Sequence, residues 1–316
     1  MNREEIEMEL ALIAAQQVSI FFVLMLVGYL SIKWHLLKSE ARQHLSNLLV
    51  SIISPCMLLN SYMSEFDAQI FHGIVLSFLH GFILILIGLV IALLAGRFFA
   101  ADNRAIFEFA LIFSNAGFMG FPLIQAIFGI EGVMYASGYL TAYNILLWSF
   151  GTSHVSGQLD PKQVIKSIFL SPSIMAIIIG LFIYLLHIPV PMMIHKPISM
   201  IGDMNTPVSM MITGIILADA NLGRIIRDKT IAAVIALRLL LIPGICLLIY
   251  GILHIQFGMA SDVVLLLEAC PCASISSVFA VQYHYNEERV AGAVILSTIL
   301  SILTLPVAAY IITSFL

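Results

Sequence analysis

Charge is what this sequence has least of: Asp, Glu, Lys and Arg together make up 10% of its 316 residues, against roughly a quarter in an ordinary globular domain. That scarcity excludes water as the main solvent of the folded chain. Cysteine is scarce as well. Cys56, Cys246, Cys270 and Cys272 all fall inside apolar runs, where neither a disulfide framework nor a zinc finger is expected. Cys270-Pro271-Cys272 has the spacing of a metal pair but no His or second pair beside it in sequence, so the four read as small packing residues, and no metal site is expected. Walker motifs, Gly-rich phosphate loops and HExxH are absent, which leaves ATP-driven transport and zinc proteolysis without support; no nucleic-acid partner is expected either.

What the sequence does have is apolar length. Hydrophobic residues make up 61% of the chain and the mean hydropathy is +1.05. A bilayer core of about 30 Å needs roughly 20 apolar residues per helix, and ten such spans are predicted: Ala11 to Ile32, His44 to Met63, Gln69 to Phe98, Arg104 to Ile127, Glu131 to Ser153, Val164 to His187, Met192 to Leu217, Thr230 to Ile255, Val263 to Tyr283 and Arg289 to Phe315. The first follows an acidic stretch (Glu4, Glu5, Glu7, Glu9) and lacks a small-residue cleavage signal, so it reads as a retained helix and not a signal peptide.

The net charge of −4 says little, because a membrane protein's charges are read by side. The loops after the odd-numbered spans hold Lys33, Lys38, Arg42, Arg97, Arg104, Lys162, Lys166, Arg224, Arg227, Lys229 and Arg289, eleven of the fourteen Lys and Arg. The opposite side holds only Arg3 and Lys196, and Arg238 sits inside a span. The positive-inside rule therefore places both termini outside the cytoplasm, in a multi-pass protein of the cytoplasmic membrane.

Dividing the chain at its polar centre gives a first five-helix repeat (1–155), a cytoplasmic connecting loop (156–163) and a second repeat (164–316). Five is odd, so the second repeat must enter the membrane inverted. Ser54-Pro55 in span two echoes Thr206-Pro207 in span seven, and the residues around Glu131 echo those around Glu288. Spans four and nine are both interrupted. Ser114-Asn115-Ala116-Gly117-Phe118-Met119-Gly120-Phe121-Pro122 places two glycines and a proline where a helix should propagate. Glu268-Ala269-Cys270-Pro271-Cys272-Ala273-Ser274-Ile275-Ser276-Ser277 is similarly poor in helix formers. Lipid cannot satisfy unwound backbone, so these segments must face protein, water or a ligand. A half-helix restarting after each break offers an N-terminus worth roughly half a positive charge, and two of them crossing near the midplane suit an anion, most naturally a carboxylate.

These segments carry a resemblance. Asn115-x-x-x-Met119-Gly120-x-Pro122-Leu123 resembles the fourth-helix motif of the auxin efflux carrier family, and Ser277-Val278-Phe279-Ala280 with Tyr283 resembles its ninth. That family includes plant PIN-type carriers and bacterial malonate and malate carriers. The resemblance implies a ten-helix, all-α inverted-repeat membrane fold in which broken helices 4 and 9 cross, a secondary active transporter of a small organic acid, and a homodimer through one scaffold face. By resemblance, Asn115 matches the substrate-contacting asparagine and Pro122 the motif proline. Ser276 stands where plant members carry the crossing proline, and the long central loop of those members is missing, which favours a bacterial-type carrier over one for auxin.

The candidate substrate-binding residues are thus Asn115, Ser114, Gly120, Pro122, Ser276 and Ser277, with Asn47 of span two. Intramembrane ionisable groups are costly, so Glu268 is the foremost candidate for a coupling ion, proton or sodium, followed by Asp203 and Asn205 before Pro207. A structural ion pair between Arg238 and one of the acids is the equal alternative for Glu268. Glu108 reads as interfacial, and His284 and Tyr285 as a solvated loop. No organic cofactor is expected, and the partners are a small organic acid and the lipid bilayer. Two other functions compete: a cation or proton antiporter on a related crossed-helix fold, which needs a carboxylate at the crossing, and an intramembrane enzyme using Ser276 or Cys270 with Glu268 or His80 as base.

Overall fold

The computed structural model describes residues 3–38, 40–158, 162, 165, 166, 169–218 and 222–315. Residues 159–161 and 163 of the connecting loop, and 164, 167 and 168 at the start of span six, lie outside the described residues. Among the described residues every extended element is a helix, and six helices are long and apolar enough to cross a membrane. Shorter apolar helices, Ser19–Lys33 and Pro172–Leu185, add to these.

The elements run α1 (Arg3–Lys33), α2 (Ala41–Ser61), α3 (Ala68–Gly96), α4 (Arg104–Ile112), α5 (Ala116–Ser156), α6 (Pro172–Leu185), α7 (Met192–Ala218), α8 (Lys229–Leu253), α9 (Met259–Glu268), α10 (Ile275–Gln282) and α11 (Glu287–Phe315). The short helices α4, α9 and α10 are where the Gly-, Pro- and Ser-rich segments stop propagation. α5 is 41 residues long because it joins the second half of span four to span five. Gly129, at φ 64°, turns the chain between them, a conformation that costs glycine little.

Proline accounts for most of the remaining irregularity. Pro55, Pro122 and Pro243 each follow a π-turn, at Leu49–Ile53, Ala116–Gly120 and Leu237–Leu241. A proline has no N–H to give and its ring presses on the preceding turn, so the turn widens. In α7 the helix loosens at Asp203 and Met204, just before Pro207. Histidine ends four helices: His35, His187, His254 and His284 all have φ between 50° and 61°, the left-handed region in which His is enriched.

Without a hydrophobic force between helices in lipid, close approach depends on small residues. α3 and α5 meet through Gly73 under Tyr135 and Gly81 under Tyr139. α1 and α7 meet reciprocally: a Cβ on Gly28 would overlap the Met211 carbonyl, and one on Gly214 would overlap the Met25 carbonyl. Because both obstacles are backbone, Gly214→Ala should separate the two helices and destabilise the protein by about 1–3 kcal/mol. A melting temperature in detergent equal to wild type would contradict this packing.

The large core cluster draws buried residues from all eleven helices, while Leu49, Ile53 and Ile212 form a smaller one between α2 and α7 that Phe118 of α5 also touches. Asp67 and Asp228 cap α3 and α8 in the same way. The Asp67 carboxylate accepts from the N–H groups of Gln69 (2.6 Å) and Ile70 (3.2 Å), and that of Asp228 from Thr230 (2.8 Å) and Ile231 (3.3 Å). Arg289 of α11 adds a two-pronged bond to Asp228, Nε at 2.7 Å and Nη2 at 3.0 Å, which holds the Asp228 carboxyl below the usual carboxylate range. A depressed pKa contributes stability that is present above the ordinary value and lost as pH falls through the folded one. Melting temperature should therefore fall on acidification below the usual Asp range, about pH 4, and Asp228→Asn should fall less steeply over that window. Parallel pH profiles would remove the role assigned to this pair.

Candidate functional site

The two broken spans meet. α4 ends at Ile112, Phe113 is extended at φ −100° and ψ 121°, and Ser114 and Cys272 form an antiparallel β-bridge. The Asn115 N–H donates to the Pro271 carbonyl at 2.7 Å and the Ala273 N–H to the Phe113 carbonyl at 3.0 Å. Cys272 N–H is taken by Ser297 Oγ of α11 at 3.2 Å. Each unwound segment thus satisfies the other's backbone, as burial away from water demands.

The chain restarts from this bridge as α5 on one side and α10 on the other; at α10 the Ser276 and Ser277 N–H groups donate to the Ala273 (3.0 Å) and Ser274 (3.2 Å) carbonyls, so that helix start offers chiefly its dipole. Both starts line one side of a cavity of about 980 Å³, with Ser114, Asn115, Gly117, Ala273, Ser274 and Ser277 at the crossing. Its walls come from α2 (Asn47, Ser51, Ser54), α5 (Tyr143, Asn144, Trp148) and the start of α6 (Ser171, Ser173), and Arg42, Lys166, Gln282 and Glu287 complete the lining. The Arg42 Nη2 lies 3.3 Å from Glu287 Oε1. Space above Gly117 is open, with no atom within 4 Å of where a Cβ would sit.

Three side chains at the crossing lack hydrogen-bond partners, Asn115, Ser276 and Ser277, and of these Asn115 and Ser277 line the cavity. Asn115 is 4% exposed, and its Nδ2 makes no hydrogen bond; neither does Ser277 Oγ. A buried donor left unpaired costs about 1–3 kcal/mol, so both are sites where a ligand acceptor would be favourable. Asn47 is partly committed, its Oδ1 accepting from Gln43 Nε2 at 3.0 Å.

Other candidate residues stand elsewhere. Gly120 faces α9, where a Cβ would come 2.6 Å from Leu267 Cδ2, and Pro122 is buried in the first turn after the π-turn. Ser276 is fully buried. None of these three lines the cavity. Asp203 is exposed at the loosened turn of α7. Asn205 is buried, accepts from Ser54 Oγ at 2.9 Å and so ties α7 to α2.

Glu268 does not face the cavity. Behind the crossing, Arg238 Nη1 donates to Glu268 Oε1 (2.9 Å) and to the Leu111 carbonyl (2.9 Å). Its Nε donates to the Cys270 carbonyl (3.1 Å) and its Nη2 to the Glu268 carbonyl. Tyr139 OH donates to Glu268 Oε2 at 2.8 Å and lies 3.2 Å from Ser114 Oγ. Both members of the pair are 0% exposed. Of the two readings of Glu268, the geometry is that of the ion pair with Arg238. His80 bonds Tyr250 OH at 2.8 Å and packs on Phe257, so neither Glu268 nor His80 is held as a base toward Ser276 or Cys270.

Two edge readings are corrected. Glu108 is buried, at 2% exposure, because Gly96 has no Cβ to fill the space its carboxylate occupies; it accepts from Arg104 Nε (2.8 Å) and pairs with His154 Nε2 (2.6 Å). Tyr285 is not a free loop residue, since its OH donates to the Val155 carbonyl at 2.8 Å.

The comparisons with known proteins agree with a transporter. An "uncharacterized transporter" of Methanothermobacter thermautotrophicus is 28% identical over 194 residues, 61% of this chain and 63% of that protein's length. A second, from Methanocaldococcus jannaschii, is 24% identical over 305 residues, 93% of this chain and 97% of its own. One from Saccharomyces cerevisiae is 31% identical over 158 residues, 46% of this chain but 27% of that longer protein. The model of the family described as membrane transport protein matches residues 13–309, so the chain belongs to that family, the auxin efflux carriers.

Proposed function

We propose that the protein is a secondary active transporter that carries a small organic anion, a mono- or dicarboxylate, across the cytoplasmic membrane by alternating access. The observation that carries this reading is the crossing itself. Two helix starts and two unpartnered side chains, Asn115 Nδ2 and Ser277 Oγ, converge on one cavity, while Glu268, the acid of the crossing, is turned away and neutralised by Arg238. Asn115 Nδ2 can only donate and Ser277 Oγ can do so, which suits an anion, whereas a cation antiporter would need a free carboxylate there.

The ten-span inverted repeat, with its halves at 1–155 and 164–316, belongs to the same proposal, and paired local features support it. α1 and α6 both end at a left-handed histidine (His35, His187), and α3 and α8 are both capped by Asp67 and Asp228 in one geometry. Spans two and seven both yield before a proline, and spans four and nine both unwind. On the positive-inside rule the termini lie outside the cytoplasm. The cavity, with Arg42 and Lys166 among its lining residues, then opens to the cytoplasm, an inward-facing state. A homodimer through one scaffold face is retained as part of this reading.

The test is counterflow in proteoliposomes. Labelled succinate or acetate should accumulate against an excess of the same unlabelled acid and saturate. Unsaturable, channel-like flux of inorganic ions would overturn the proposal.

A further inference from the structure

Broken-helix carriers can bind a coupling cation on the carbonyl ends of their half-helices, where the dipole is negative. Such a cation needs several oxygens, carbonyls and a carboxylate, around one point. That set of oxygens exists here: the carbonyls of Leu111, near the end of α4, and of Glu268 and Cys270, at the end of α9, together with Glu268 Oε1. All four already accept hydrogen bonds from a single side chain, Arg238.

We infer that the Arg238 guanidinium is the resident cation of the crossing, filling the seat a metal cation would need, so that the carrier binds its organic anion without a sodium or other metal ion there. A guanidinium does not deprotonate in proteins, so it cannot yield the seat by losing its charge. It is tethered through the π-turn Leu237–Leu241 and fully buried. A second cation beside it would meet like-charge repulsion in a medium that screens poorly. Displacing it would strand a buried charge. The chemistry of these donors therefore does not fit a coupling metal, and Arg238 acts as a positioning residue. It holds the carbonyl ends of α4 and α9 together, with their successors α5 and α10 opening on the cavity. The driving force is then the anion's own electrochemical gradient or exchange for another anion.

The inference rests on the organic-anion reading, and the test separates the two. Binding of succinate and of acetate to the purified full-length protein is followed by thermal shift in choline chloride and in sodium chloride of equal ionic strength. The apparent affinity should change by less than about twofold between the two salts. A response that appears only with sodium, or strengthens about tenfold or more with it, overturns the inference while leaving the anion reading intact; no response to either acid in either salt removes the reading on which it rests, and the inference with it.

Arg238→Ala provides the second arm. Low concentrations of guanidinium chloride should raise the variant's melting temperature and restore carboxylate binding at least about tenfold, whereas sodium chloride should not. Rescue by sodium in place of guanidinium would show that the seat accepts a metal and would overturn the inference. Should the variant not be recoverable, the wild-type salt comparison decides alone.

Discussion

Asn115→Asp should abolish the thermal shift produced by succinate or acetate, and Asn115→Ala should weaken it by roughly ten- to a hundredfold, the worth of one hydrogen bond to a charged group. The two differ because Ala only removes the Nδ2 donor, while Asp also sets a negative charge where the ligand's would lie. The unliganded proteins should behave differently. Asn115 Nδ2 has no hydrogen-bond partner in the folded chain, so removing it relieves a buried unpaired donor. The melting temperature of Asn115→Ala without ligand should equal or exceed that of wild type. Loss of binding together with loss of stability would mean that Asn115 is a structural residue. Unchanged binding in Asn115→Asp would move the anion away from the crossing altogether.

Glu268→Gln should be among the most destabilising single changes in the protein, lowering unfolding stability by about 3–5 kcal/mol, because it leaves Arg238 charged, buried and without its counterion. Arg238→Met should cost at least as much, since the carbonyls of Leu111, Glu268 and Cys270 lose their donor as well. The double variant should be less destabilised than the sum of the two singles, the mark of directly coupled groups. Tyr139→Phe, which removes one bond to Glu268, should cost less, about 1 kcal/mol. Denaturant titration in a fixed detergent would measure all four. If Glu268 were instead a free proton or sodium site, Glu268→Gln would leave stability nearly untouched and abolish coupling, which would contradict the ion-pair account.

The crossing was legible from sequence because the breaks come as a pair, in spans four and nine; one such run alone is more often a proline kink satisfied by neighbouring Ser and Thr. Asn115 and Pro122 stood in the first such run and Pro271 in the second. What the run could not reveal was orientation within it. Gly117 opens on the cavity while Gly120, three residues on, is pressed against Leu267; both weaken a helix equally, so composition cannot separate them. Arg238 was visible as a charge in a span, yet its partners lie 30 residues away at Glu268 and 127 away at Leu111, a distance that no local pattern spans. The cavity walls were missed for a third reason. Ser51, Ser54, Ser171 and Ser173 are ordinary small hydroxyls on apolar helices, and residues of that kind more often bridge helices. Only the packing of α2 and α6 beside the crossing distinguishes them. Glu108 was misread because its burial depends on Gly96 of a different helix.

The central claim is that a carboxylate binds where the two unwound segments pair, against Asn115 and Ser277. It is tested most directly by alkylation of Ser277→Cys in a Cys56→Ser background, using a water-soluble maleimide and following the rate with and without ligand. Cys246, Cys270 and Cys272 are buried and should react slowly. Succinate or acetate should slow labelling of the introduced thiol in a saturable manner, while the uncharged amides succinamide and acetamide should not. Equal rates with and without every carboxylate, or equal protection by the amides, would contradict the account.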